Sequence, residues 1–194
     1  MGPQGRPEGK CADCQAQDHP HPAGFPLSNL PAGVTIPRVT RESSRFPPTI
    51  DVVRPTTFIM PARLSTRLGI ETVLASETFQ HTGSFKFRAA YHVASTVPHR
   101  HIITASSGNF GQGLARACAL LGKTCRVVMP STSASVKIDA VREFGGEVDL
   151  IDLARTTRAG RVQELAAEHG QAYVASPYDD PLVVEGNATL GAEL

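Results

Sequence analysis

"HIITASSGNFGQGLARACALLGKTCRVVM", residues 101–129, holds two short β-branched runs on either side of a glycine-rich turn and a helical pattern. The runs HIITA (101–105) and CRVVM (125–129) read as buried strands, being short, apolar and bounded by turn residues. Between them Leu114, Cys118 and Leu121 recur at helical spacing and form one apolar stripe, which places a helix from near Phe110. A strand, a helix and a second strand joined this closely make a right-handed unit with parallel strands, so the stretch predicts an α/β fold.

The pattern continues in both directions. Upstream, TVLAS (72–76) predicts another buried strand. Downstream, residues 135–144 place Val136, Ala140, Val141 and Phe144 on one helical face before Gly145 and Gly146 stop the helix. EVDLI (147–151) predicts the next strand, residues 158–169 a helix ended by Gly170, and AYVAS (172–176) a short last strand. No internal repeat is evident.

Residues 1–56 differ from the rest, holding ten of the fifteen prolines. Proline removes a backbone donor and fixes φ, so this part predicts an extended or largely disordered arm. Within it Cys11, Cys14, His19 and His21 are atoms that zinc would accept, yet their spacing is loose and no supporting shell is visible, so no metal is expected.

Composition excludes several function classes. With 41% hydrophobic and 19% charged residues, the 194-residue chain reads as globular, and its formal charge of +1 gives no reason to expect nucleic acid or an acidic membrane surface as partner. No apolar run approaches the roughly 20 residues that span a bilayer, and MGPQGRPEGK lacks the apolar centre of a secretory signal. The expected setting is cytoplasmic and the expected ligand a small molecule. Cys118 and Cys125 sit in apolar periodic segments, as reduced buried thiols do.

In open α/β sheets ligands bind beyond the carboxyl ends of the strands, where a loop opens the next helix. SSGNFGQG (106–113) is such a loop. Its free N–H groups and the positive end of the helix favour an anion, Gly108, Gly111 and Gly113 permit close approach, and Ser106, Ser107 and Asn109 add hydrogen-bonding side chains. Taken alone it is equally a serine-capped glycine turn. A dinucleotide loop fits poorly, since the glycines read G-x-x-G-x-G and no acidic residue follows the next strand to bind a ribose. Lys86, in HTGSFKFRAA (81–90), would alone be an ordinary helical-surface lysine, but Phe85, Phe87, Ala89 and Ala90 make a partly apolar setting in which an amine becomes reactive. Lys123 and Lys137 read as solvated lysines.

Three stretches, SETFQHTGSFKFRAA (76–90), residues 104–150 and YDDPLVVEGNATLGAEL (178–194), resemble in register and in order the fold type II pyridoxal-phosphate enzymes, namely the serine/threonine dehydratases, serine racemase and threonine synthase. The likeness runs from about Arg54 to Leu194. It implies the tryptophan synthase β-like fold: a small α/β lobe at about 88–177, with 57–87 and 178–194 belonging to a larger, incomplete lobe and pyridoxal 5'-phosphate between the two. It implies Lys86 as the covalent lysine, Phe85 as the ring near the cofactor's pyridine, and Asn109 as the partner of its phenolic oxygen. Ser106, Gly108 and Asn109 are implied at the substrate carboxylate. The implied activity is β-elimination from hydroxy amino acids to a 2-oxo acid and ammonia, on an amino-acid substrate, in a homo-oligomer or with a complementing chain.

Two departures bear on the reaction. Ser107 and Phe110 stand where the dehydratases usually have alanine and histidine, and a serine at the first position resembles the second acid/base of serine racemase. Ala89 replaces a glycine. The glycine-rich phosphate loop of the family lies beyond the segment matching GNATLGAEL, so the expectation is a truncated chain that does not retain the cofactor through dialysis. An incompetent fragment or pseudoenzyme bound to a partner chain is the alternative, with residues such as Leu182, Val183, Val184 and Leu190 left exposed.

Overall fold

The structure, a computed structural model, describes residues 52–194. The expected arm and its Cys11, Cys14, His19 and His21 lie outside the described residues. In chain order the elements are β1 (Thr57–Ile59), α1 (Ala62–Leu68), β2 (Leu74–Ser76), α2 (Lys86–Thr96), β3 (His101–Ala105), α3 (Asn109–Leu120), β4 (Thr124–Pro130), α4 (Ser135–Glu143), β5 (Glu147–Ile151), α5 (Arg158–His169), β6 (Ala172–Val174) and α6 (Pro181–Gly191).

Four strands form a parallel sheet in the order β5-β4-β3-β6. Alternation sends successive side chains to opposite faces. Ile102, Cys125, Val127 and Met129 pack under α2, α3, α4 and α6, while Ile103, Val128 and Ile151 pack against Val162 and Leu165 of α5. The chain therefore builds outward from β3 to β5 on one side, and α5 then crosses the other face to lay β6 against the free edge of β3. The carboxyl ends of β3 and β6 consequently lie side by side at the point where the strand order reverses.

The parallel α/β fold read from residues 101–151 is present, and the helix expected at 158–169 matches α5, which ends at Gly170 with φ of +57°. The reading of TVLAS as a buried strand is corrected. Leu74–Ser76 pairs antiparallel with Thr57–Ile59 in a separate two-stranded ribbon, and Val73 and Leu74 are exposed. No helix packs closely on this ribbon among the described residues, so its apolar composition does not translate into burial. The exposure expected near the carboxyl end is also corrected in part: Val183 is buried against α2, whereas Val184 is exposed.

Helix α2 is enclosed almost all round, residues 87–94 being buried without a break. Small residues make this possible. A Cβ added to Gly113 of α3 would come 3.2 Å from Ala90 Cβ, and one added to Gly186 of α6 would come 2.6 Å from Ala89 Cα. The two neighbouring helices thus seat their backbones directly on α2. Arg88, 1% exposed inside this helix, donates to Glu77 (2.7 Å), Glu193 (2.7 Å) and Thr56 Oγ1 (2.9 Å). Its guanidinium ties the β1–β2 ribbon to α2 and α6.

Candidate active site

Lys86 is the first residue of α2 and Asn109 the first of α3, so both lie at helix beginnings near the carboxyl edge of the sheet. They meet in one cleft of about 430 Å³, together with Phe85, Ser106, Ser107, Gly108 and Phe110. Every site residue expected from the sequence thus lines a single cavity.

Within it the details differ by residue. Lys86 is half-buried, and its Nζ stands 4.8 Å from the centre of the exposed Phe85 ring, a cation–π contact worth about 0.5–1 kcal/mol when exposed. Ser106 is buried, and its Oγ accepts the N–H groups of Gly111 at 3.2 Å and Gly108 at 3.4 Å. That hydroxyl caps α3 and holds the loop closed on itself. The N–H groups of Asn109 and Phe110, which open α3, donate to no group among the described residues and remain for a ligand. A Cβ added at Gly108 would meet no atom within 4 Å, so the glycine leaves open space toward the cleft.

Two residues just before Lys86 add to this. Thr82 Oγ1 and Ser84 Oγ are buried without a hydrogen-bond partner among the described residues. Buried hydroxyls are rarely left unpaired, and this pair flanks the turn that presents the lysine. Ala89, which stands where the family has glycine, lies fully buried against α6 and does not line the cleft.

Sequence reasoning missed four residues of the cleft: Lys137 of α4, Arg158 of α5, and Pro177 and Tyr178 after β6. Reading Lys137 as merely solvated left out its position, because it is exposed yet lines the same cavity as Lys86. The detectable signal was topological. Both cations sit in the first turn of a helix that follows a strand, which in a parallel sheet is the ligand edge.

A family profile described as "Pyridoxal-phosphate dependent enzyme" matches residues 50–194. The chain belongs to that family. Among curated relatives, the biosynthetic L-threonine dehydratase of Escherichia coli is 35% identical over 173 residues, covering 87% of this chain and 33% of its own. The solved structure of processed threonine deaminase isoform 2 from Solanum lycopersicum superposes with a TM-score of 0.67 at 36% identity, covering 75% of this chain and 41% of that one. Serine racemase from Dictyostelium discoideum gives 0.68 at 28% identity, covering 73% and 47%. The chain of this pyridoxal-phosphate family member spans a quarter to a third of the length of the first curated relatives.

The residues present fit the family's cofactor on its reactive side. A half-buried amine, an adjacent aromatic ring, an amide at Asn109 and uncovered N–H groups line one cleft, with open space beside Gly108. No helix among the described residues is long and apolar enough to cross a membrane.

Proposed function

We propose that this chain supplies the covalent lysine and the substrate-carboxylate loop of a pyridoxal-phosphate lyase acting on hydroxy amino acids. The observation that carries the reading is the convergence of Lys86 with Ser107, Gly108 and Asn109 in one cleft at the reversal point of the sheet. In this reading residues 88–177 form the small lobe, while 57–87 and 178–194 contribute to a larger lobe completed by further sequence or a complementing chain, in a cytoplasmic enzyme. Its assembly as a homo-oligomer is part of the same proposal.

The residues divide the work. Lys86 would hold the cofactor, and its Nζ would take the proton from the substrate Cα. The N–H groups of Asn109 and Phe110 would bind the substrate carboxylate, and the Asn109 side chain would hydrogen-bond the cofactor's phenolic oxygen. When bound, the cofactor supplies the electron sink that makes loss of the β-hydroxyl feasible. The chain's own contribution is orientation and proton transfer at Lys86. Borohydride reduction of the chain mixed with pyridoxal phosphate, followed by peptide mapping, is expected to label Lys86. Label on Lys123 or Lys137 in its place would refute the assignment.

A second reading, racemisation, is favoured by Ser107, whose half-buried position lines the cleft beside Lys86. If its hydroxyl exchanges a proton on the opposite face of the substrate, Ser107→Ala in an active enzyme carrying this segment suppresses racemisation by roughly 100- to 10,000-fold and spares elimination from the L-isomer. Small and equal effects on both reactions would leave Ser107 as a loop residue only.

A further inference from the structure

We infer that His99, His101 and His169 form a pH-sensitive latch at the amino end of the β3–β6 seam. As the pH falls from about 7.5 to about 5.5, the latch releases β6, and the cleft loses the wall that Pro177 and Tyr178 provide.

Three of the five described histidines gather where β6 joins β3, whereas the other two have partners elsewhere, His81 at the Val52 carbonyl and His92 at Glu185. His101 opens β3 and pairs with Ala172 of β6. Alternation points it to the same sheet face as Ile103, toward α5. There its ring stacks on that of His169, the last residue of α5, with centroids 5.8 Å apart and planes inclined by 22°. A hydrogen bond of 2.6 Å between His101 Nδ1 and Thr124 Oγ1 holds the ring in place. His99 crosses the same seam by a second contact, its ring lying 5.6 Å from that of Tyr173 on β6. The Nδ1 of His99 is buried and has no hydrogen-bond partner among the described residues. His99 and His101 line one cavity of about 530 Å³ with Arg100, Gly170 and Gln171.

Among the described residues none of these three histidines makes an ion pair, and Arg100 adds positive charge to their cavity. Charged groups on the neighbouring elements are engaged with one another or with the backbone. Glu168 of α5 meets Arg161, Glu147 of β5 meets Arg126 of β4, and Asp180 accepts from the Tyr173 hydroxyl. Lys123 donates to the carbonyls of Ala94 and Val97 at the end of α2.

Imidazole is the side chain that ordinarily gains charge between pH 8 and 5. Two charged rings at 5.8 Å repel, and a proton on His99 Nδ1 buries a charged donor that has no acceptor. Release of β6 separates the first pair and lets water reach His99. The released state therefore takes up protons more readily and gains population as the pH falls. The carboxyl end of α5 favours a cation at His169, but this leaves the repulsion between the rings and the cost at His99 in place. With only three paired residues, β6 is held by few bonds and opens locally.

The test is amide hydrogen exchange on the full chain at pH 7.5 and 5.5, each rate divided by the intrinsic rate at that pH. Both conditions lie above the range in which ordinary carboxylates protonate. The Ala175 N–H donates to the Ile103 carbonyl at 2.9 Å and so reports on the seam. Protection at Ala175 and at the β6 amides is expected to fall roughly tenfold at pH 5.5, with the β4 amides of Val127 to Met129 unchanged. The heteronuclear NOE of Tyr178 should fall in step. In His101→Gln/His169→Gln, which alters only exposed rings, the fall should shrink to about threefold, and adding His99→Gln should abolish it. Equal protection at the two pH values, a fall shared by β4, or an undiminished fall in the double variant would overturn the inference. So would a Tyr178 that keeps its order while β6 opens.

Discussion

Replacing Arg88 by leucine is expected to lower the melting temperature by roughly 10 °C or more. Arg88 is buried and holds Glu77, itself 8% exposed at its side chain, together with Glu193 and Thr56. Removing one partner of a buried pair leaves an uncompensated charge and costs about 3–5 kcal/mol. The leucine also cannot donate toward the Arg54 carbonyl, to which Arg88 donates at 3.2 Å. Arg88→Leu combined with Glu77→Leu should recover part of the loss, because an apolar pair of similar volume has no desolvated charge. Thermal unfolding of both variants checks this, and equal losses in the two would show that the ion pair is not the cause. A pH dependence follows from the same network. Burial disfavours the ionised Glu193 carboxyl, but Arg88 and the Thr56 N–H outweigh it and hold its pKa below the ordinary value near 4.5. A carboxyl depressed in the folded state stabilises above its unfolded pKa and loses that contribution as pH falls. The wild type should therefore weaken below about pH 4.5, and Arg88→Leu should weaken less steeply.

Gly186→Ala is expected to destabilise by roughly 1–3 kcal/mol, although alanine is the better helix former. The added methyl would lie 2.6 Å from Ala89 Cα, 2.9 Å from His92 Cβ and 3.1 Å from Ala89 N, none of which is the free end of a flexible side chain. Helix α6 must then move off α2, and the displacement reaches the turn that presents Lys86. Gly191 on the same helix supplies the control, since a Cβ there meets nothing within 4 Å, and Gly191→Ala should be neutral or stabilising by up to about 1 kcal/mol. Denaturant unfolding of the two variants decides the point. Matching signs would mean that the helices slide apart freely.

Much of the sheet was legible because β3 and β4 are buried runs alternating with amphipathic helices, and both periodicities leave a direct mark on the sequence, whereas EVDLI, expected as a buried strand, is the edge strand β5, in which only Ile151 is buried and Leu150 is exposed. The β1–β2 ribbon was not legible. Its residues Phe58, Ile59, Val73 and Leu74 are as apolar as those of a buried strand, but what covers a strand is a tertiary fact that its own composition does not carry. Likewise nothing local shows that β6 joins the edge of β3 rather than that of β5, since both edges satisfy the same hydrogen bonds. Lys86, Ser107 and Asn109 were legible through resemblance, each lying in a short motif. Lys137 and Arg158 were missed because they approach the cleft from separate helices, and only the strand order brings those helix beginnings to one edge.

The late return of β6 to the edge of β3 sets an order of events for a growing chain. His101 pairs with Ala172 and Ile103 with Val174, whereas β3 meets β4 after only about twenty residues. Contacts distant in sequence close after local ones, because the loop entropy must be overcome before they reward it. During synthesis Lys86 and the 106–109 loop emerge with one wall of their cleft missing, and Pro177 and Tyr178 supply it only after α5 has crossed the sheet. Premature ligand capture by a half-made chain is thereby disfavoured, and loss of the β3–β6 pairing opens the cleft without first melting the β3–β5 portion of the sheet.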